Sequence, residues 1–242
     1  MMKLSIIVPA WNEAQLLPAC LASIDAAVDA NQSAGFTHEV IVVDNNSTDK
    51  TAEIAAAAGA LVVFEPINQI ARARNAGAAA ASGDWLLFID ADSLLSSGLL
   101  FDIHALIDAD KAVGCGSTMQ MQGLPWWGRS MMATWTTMSL TLRWAAGSLL
   151  VCRAEAFREV GGFNTQLYAA EEIDLSQRLK RWGRERGQRF EILRRHPLQT
   201  SNRKLLLYSG REIGAQLARL MLRPWAALRD RGALSLWYDG RR

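Results

Sequence analysis

The stretch Trp85-Leu86-Leu87-Phe88-Ile89-Asp90-Ala91-Asp92-Ser93 joins five bulky apolar residues to two carboxylates one residue apart. A short apolar run of this kind predicts a buried strand over Trp85 to Ile89. The carboxylates then fall at the strand's carboxyl edge, where ligands bind in open α/β sheets. Like charges this close repel, so the pair invites a divalent cation. Mg²⁺ and Mn²⁺ take oxygen ligands and are commonly shared between one or two carboxylates and substrate phosphates. Two solvated turn residues leading into the next helix would give the same local pattern, and the rest of the chain decides between these readings.

Upstream, Leu4 to Val8 reads as a buried strand ending at Pro9. Leu17, Cys20, Leu21, Ile24 and Val28 then recur at helical spacing across Glu13 to Ala30. Val40 to Val43 is a second strand, followed by the turn residues Asn45 to Asp49 and an Ala-rich helix from Thr51 to Ala58. Leu61 to Phe64 is a third strand, and Ala71 to Ala81 a helix closed by Ser82-Gly83. Strand and helix alternating at this spacing predict an α/β fold, a Rossmann-like, mostly parallel sheet flanked by helices. Downstream, the pattern predicts helices over Leu94–Ile107, Arg153–Val160 and Glu172–Trp182, and strands over Ala112–Gly116 and Ser148–Cys152. The segment 124–147 is rich in Trp and Met and reads either as a packed core helix or as a surface shaping a substrate site.

The 242 residues suffice for one large α/β domain or two small ones, and half of them are hydrophobic. Cys20, Cys115 and Cys152 form no Cys-x-x-Cys pair, which fits a reducing compartment. The first apolar run stops at Pro9, so no signal peptide is expected, and no uncharged run is long enough to span a membrane. The net charge of +2 hides an asymmetry: from Arg178 onward there are 17 Lys+Arg and 5 Asp+Glu, so the body before it is acidic. We therefore divide the chain into a catalytic domain, 1–200, and a basic amphipathic extension, 201–242.

Neither a Gly-x-Gly-x-x-Gly nor a P-loop pattern occurs. Polar residues instead cluster after strands one, two and four: Asn12 and Glu13, Asp44 and Asn46, Asp90 and Asp92. With Ser5-Ile6-Ile7-Val8-Pro9-Ala10-Trp11-Asn12-Glu13, Glu39 to Asp49, Ala73-Arg74-Asn75-Ala76-Gly77, Gly161-Gly162-Phe163 and Glu171-Glu172-Ile173-Asp174-Leu175, the chain resembles family-2 glycosyltransferases of the GT-A fold.

That resemblance implies a nucleotide-sugar donor, a divalent metal (Mg or Mn), inversion at the sugar carbon, and a smaller acceptor-side part. It implies that Pro9, Ala10 and Trp11 wall the base, that Glu13, Asp44 and Asn46 meet base or ribose, and that Arg74 and Asn75 reach toward the nucleotide, with Gly162 in the substrate site. Asp90 would contact ribose or support the metal, and Asp92 would bind it. The general base would be Glu172 or Glu171, where the family usually has Glu-Asp. His196 is a candidate third metal ligand or a packing residue, and Arg203 or Lys204 a counter-charge to the diphosphate. Asp44, Glu171 and Glu172 also suit helix N-termini.

Beyond Arg203, Leu217, Leu220, Met221, Trp225, Leu228 and Leu236 alternate with Arg219, Arg223, Arg229 and Arg231. This pattern suits an interfacial helix pair. It predicts a cytoplasmic protein lying peripherally on the inner membrane face, a lipid or lipid-linked acceptor, and no nucleic-acid partner. Two alternatives are a haloacid-dehalogenase-like phosphatase, since Asp-x-Asp also ends that family's nucleophile strand, and a non-catalytic nucleotide-sugar-binding module.

Overall fold

The computed structural model describes residues 2–145 and 148–203. The extension expected over 201–242 lies outside the described residues from Lys204 on. The first half runs β1 (Lys3–Ala10), α1 (Leu17–Ala30), β2 (Thr37–Asp44), α2 (Thr51–Ala57), β3 (Leu61–Phe64), α3 (Ile70–Ala80) and β4 (Trp85–Ile89). The second half runs β5 (Ser93–Leu94), α4 (Ser97–Asp108), β6 (Ala112–Gln120), α5 (Trp126–Leu142), β7 (Leu149–Arg153), α6 (Ala154–Glu159), α7 (Glu171–Glu185) and β8 (Arg189–Thr200).

One eight-stranded sheet has the order β3-β2-β1-β4-β7-β6-β8-β5. Strands β3, β2, β1 and β4 are parallel, and β7 pairs antiparallel with both β4 and β6. Strand order reverses between β1 and β4. That is the switch point at whose carboxyl ends α/β sheets open a crevice. The sheet separates two cores. On one face Leu4, Ile6 and Val8 pack with Leu17, Ile24, Leu99 and Ile103 of α1 and α4. On the other face Ile7, Ile41, Val43 and Phe88 pack with α3, α6 and α7. Both faces of β1 are apolar, which is why it reads as an unbroken hydrophobic run. Gly77 lets α3 sit directly on the sheet, since a Cβ there would lie 2.4 Å from Ile7 Cγ2.

Helix α1 begins at Leu17 rather than Glu13. The amides of Glu13 and Ala14 are drawn to Thr51 Oγ1 and Asp49 Oδ2 of the neighbouring loop, at 2.8 and 3.1 Å. The packed-core reading of 124–147 is overturned, because in α5 only Gly128 and Ser139 are buried. Strand β8 has no counterpart in the sequence pattern. Between Leu193 and Leu198 it bulges against Ser117–Met119 of β6, and this irregular stretch holds Arg194-Arg195-His196-Pro197. Proline is tolerated in strands at such bulges.

At the end of β2 opposite the crevice, His38 Nε2 and His104 Nε2 lie 3.1 Å apart, and the buried His104 stacks on Phe36 at 4.1 Å. Burial, and then His38, holds the His104 imidazole down to about 4. The unfolded chain therefore takes up this proton first, so the stability of the neutral pair is complete above about pH 6.5 and is lost as pH falls through the folded value. His104→Phe keeps the ring stack and is expected to reduce the loss of urea midpoint on acidification. Equal losses in the two proteins would refute this.

Candidate functional site

The carboxyl ends of β1, β2 and β4 form a rim whose loops are stitched to one another. Ala10 pairs with Asp44 and Pro9 with Val43, so the three candidate nucleotide-contacting positions Pro9, Ala10 and Asp44 are adjacent. Asn12 takes a left-handed conformation (φ 51°), its Oδ1 accepts from the Thr48 amide at 2.7 Å, and its own amide donates to Ser47 Oγ at 2.9 Å. Asp44 Oδ1 accepts from the Ser47 amide at 2.9 Å, closing a turn that places Asn46 at φ 64°. Trp11 stands half-buried at the same edge.

Two buried side-chain amides, Asn45 and Gln69, organise this rim. Asn45 donates to the carbonyls of Glu65 and Ile67 at 3.1 and 2.7 Å and accepts from the Gln69 amide at 2.9 Å. Gln69 in turn donates to the carbonyls of Thr165 and Leu167 at 2.8 and 3.0 Å. The β2 loop is thereby fixed to the segment that leads into α7. Asn45, beside Asp44 in a turn-rich stretch, had some local signal; Gln69 had none.

Arg74 is the hub of the site. It is 2% exposed, and its Nη1 lies 2.9 Å from Glu171 Oε1 and 2.7 Å from Glu172 Oε1, while its Nη2 lies 2.9 Å from Asp90 Oδ1. Burial alone would lower the guanidinium, but Glu172, Asp90 and Glu171 outweigh it and hold the charge firmly. Burial, and then Glu172, pushes the Glu171 carboxyl well above its ordinary range, with Arg74 pulling against them. The sequence reading has Arg74 reaching toward the nucleotide; the structure places its guanidinium among Asp90, Glu171 and Glu172. Both terminal nitrogens meet carboxylates, one of them Asp90 at the rim itself.

Asn75 and Gly162 are also brought together, and with each other. Asn75 Nδ2 donates to the Phe163 carbonyl and its Oδ1 accepts from the Phe163 amide, both at 2.9 Å. Gly162 has φ 66°, and a Cβ there would lie 2.8 Å from Asn75 Oδ1. The amide of Asn75 thus holds the Gly161-Gly162 turn against α3.

The second carboxylate cluster stands on the other side of Asp90. Cys20, buried behind the rim, has its thiol pushed up to about 12 by burial and then by Asp92, Asp90 and Glu13. Glu13 accepts from Arg203 Nη2 at 2.8 Å, so the end of β8 crosses back to the β1 loop. Strand β5 pairs Ser93 with Thr200, and the Ser201 amide donates to the Asp92 carbonyl at 3.1 Å. A cavity of about 330 Å³ adjoins Asp92, lined by Leu16, Gln120, Gln122, Thr200 and Asn202 among others. Arg203, read as a counter-charge to a diphosphate, is thus at the rim and paired with Glu13.

His196 falls elsewhere. Its Nδ1 lies 2.9 Å from Asp102 Oδ2, and its ring covers Gly98 of α4, where any Cβ would lie 2.7 Å from it. Among the described residues no three His, Cys, Asp or Glu side chains are grouped to hold a metal ion. The oxygen pair Asp90 and Asp92 still suits Mg²⁺ or Mn²⁺, which are usually held by one or two carboxylates together with substrate phosphates.

The family model described as glycosyl transferase family 2 matches residues 5–155, a span that holds Asp44, Arg74, Asp90 and Asp92. An uncharacterized glycosyltransferase of Mycobacterium tuberculosis is 37% identical over 122 residues, 50% of this chain and 51% of that protein. A PGL/p-HBAD biosynthesis glycosyltransferase of Mycobacterium bovis is 39% identical over 110 residues, 43% of this chain and 41% of that protein. The chain thus spans about half the length of the curated relatives it matches. Staphylococcus aureus TarS 1-349, solved with UDP-GlcNAc, superposes with a TM-score of 0.66 at 19% identity, over 98% of this chain and 71% of that one. Glucosyl-3-phosphoglycerate synthase from M. tuberculosis, solved with Mn²⁺, UDP and glucosyl-3-phosphoglycerate, gives 0.63 at 22% identity, over 96% and 82%. The fold is that of these GT-A glycosyltransferases.

Proposed function

This chain belongs to glycosyl transferase family 2, and from that premise we propose that it transfers a sugar from a nucleoside-diphosphate donor to an acceptor hydroxyl, with inversion at the sugar carbon. The observation that carries the reading is the Arg74 hub, which ties Asp90 of the donor rim to the two glutamates that start α7. Pro9, Ala10 and Trp11 wall the base, with Asp44 and Asn46 beside it. UDP in the TarS and glucosyl-3-phosphoglycerate synthase complexes supports a uridine nucleotide.

Asp92, supported by Asp90, would hold a divalent metal. When bound, that ion would neutralise the diphosphate as it leaves. Glu172 is the base in this reading, because 12% of its side chain is exposed against 3% for Glu171. It takes the proton of the acceptor hydroxyl as that oxygen attacks the sugar carbon and the diphosphate departs. Arg74 keeps the Glu172 carboxylate in place for this step. The acceptor is lipid or lipid-linked and is met at the inner face of a membrane. The family match across Asp90 and Asp92 takes the place of the phosphatase alternative.

Thermal shift with UDP-sugars tests the donor site. A donor at about 100 times its dissociation constant stabilises the folded state by about 2.7 kcal/mol, a rise of roughly 5–10 °C at this chain length. The rise should require Mn²⁺ or Mg²⁺ and should vanish in Asp92→Ala. A rise that is equal in the variant, or absent with every donor, would overturn the assignment.

A further inference from the structure

Helix α5 is 17 residues long, yet it buries only Gly128 and Ser139. Trp126 is 76% exposed, and Met138, Leu140 and Leu142 are exposed with it. Arg129 is the one ionisable residue in the helix, and Ser130 to Leu142 carries no charge. A helix facing water normally carries charged residues on its outer side. Here the exposed threonines turn their hydroxyls back onto the helix. Thr134 Oγ1 donates to the Ser130 carbonyl at 3.1 Å, Thr137 to Ala133 at 2.9 Å and Thr141 to Thr137 at 2.8 Å. With the hydroxyls satisfied locally, the helix offers methyl groups, Trp126 and the apolar side chains as its surface.

The charge carried by this segment has one sign. Lys111 through Ala154 contains no Asp or Glu. Arg129 is exposed in the first turns of the helix, and Arg143 ends it in a left-handed conformation. Lys180 of α7 donates to the Leu142 carbonyl, with Arg143 and Arg184 close enough to disfavour its charge beyond the effect of burial. At 1.5 Å per residue the helix is about 25 Å long, and no described helix is long and apolar enough to cross a membrane. An uncharged apolar face edged by cations is suited to lying in a bilayer interface.

We propose that α5 is the surface on which this protein lies against an anionic lipid bilayer. The proposal deepens the lipid-linked acceptor reading above, because α5 borders the site at both ends. At its start, Gln122 lines the cavity beside Asp92 and accepts from Asn202 at 2.6 Å. Just past its end, the Ala145 amide donates to Ser176 Oγ at 3.2 Å, and Ser176 donates to the Glu172 carbonyl at 2.6 Å. A bilayer on α5 therefore runs alongside the rim from Asp92 to Glu172.

The test is flotation of the full chain with phosphatidylcholine vesicles, with and without phosphatidylglycerol. The wild type should float only with the anionic vesicles, and the double variant Thr134→Glu, Thr137→Glu should bind roughly tenfold more weakly. Trp126→Phe should reduce quenching of tryptophan fluorescence by brominated lipid. The donor-induced thermal shift is measured on the same double variant and should be unchanged. It shows that the variant is folded, and it separates failure of this surface from failure of the sugar-transfer reading. Equal flotation of the double variant would assign binding to another surface, the tail included, and overturn the proposal. So would absence of flotation, or a vesicle-free dimer that the variant abolishes.

Discussion

Arg74→Met is expected to destabilise the protein by about 3–5 kcal/mol, the cost of removing one partner from a buried ion cluster. At this chain length that is a fall in melting temperature of roughly 6–20 °C. Methionine fills much of the same volume, so the loss is electrostatic rather than a cavity. Glu171, Glu172 and Asp90 would be left together with no cation, in a site where Arg74 is 2% and Glu171 3% exposed. The pH dependence separates this account from simple packing loss. Burial and Glu172 already favour the protonated form of Glu171, and without Arg74 protonation becomes easier still. The gap between variant and wild type should therefore shrink as pH falls from about 8 toward 5. The acid response of the His38–His104 pair is common to both proteins and drops out of the difference. A gap that is constant with pH, or below about 1 kcal/mol, would remove Arg74 from the centre of the site.

The ion cluster also marks how far the sequence could be read. Each member lies in a motif legible on its own: an apolar strand ending in Asp90, a helix with Arg74 at its first turns, a helix starting at Glu171. Their convergence joins residues 97 and 98 positions apart, and no local pattern encodes it. Strands β1, β4 and the Ile41–Asp44 half of β2 were legible because both their faces are buried and their ends carry Pro9, Asp90 and Asp44. Strand β8 was not, since its residues are mostly exposed or half-buried and the stretch around Pro197 is bulged. Asn45 and Gln69 act on backbone carbonyls, and a carbonyl leaves no trace in sequence. The 124–147 segment was legible as apolar but not as exposed, because its Trp and Met composition suits a core and an interface equally.

Glu172→Gln is expected to lower turnover by about 10²–10⁴-fold, the usual contribution of a positioned general base. Glutamine keeps an acceptor for Arg74 Nη1, so the hub and the donor-induced thermal shift should survive. Glu171→Gln should cost less than about tenfold, although the two residues are neighbours on one arginine. The difference follows from burial. Glu171 is enclosed, its carboxyl is pushed up by burial and by Glu172, and an amide resembles the protonated form that this environment favours. Glu172 is the more exposed of the two, and its backbone carbonyl is fixed by Ser176, so it holds its place at the open edge of the cluster. Single-turnover transfer measured on both variants, with melting temperature as the folding control, decides between them. If Glu171→Gln proved the more damaging at equal stability, the base would be Glu171, and Glu172 would only support it. A bound donor that is still hydrolysed by water in Glu172→Gln, but no longer passed to an acceptor, would place Glu172 at the acceptor oxygen.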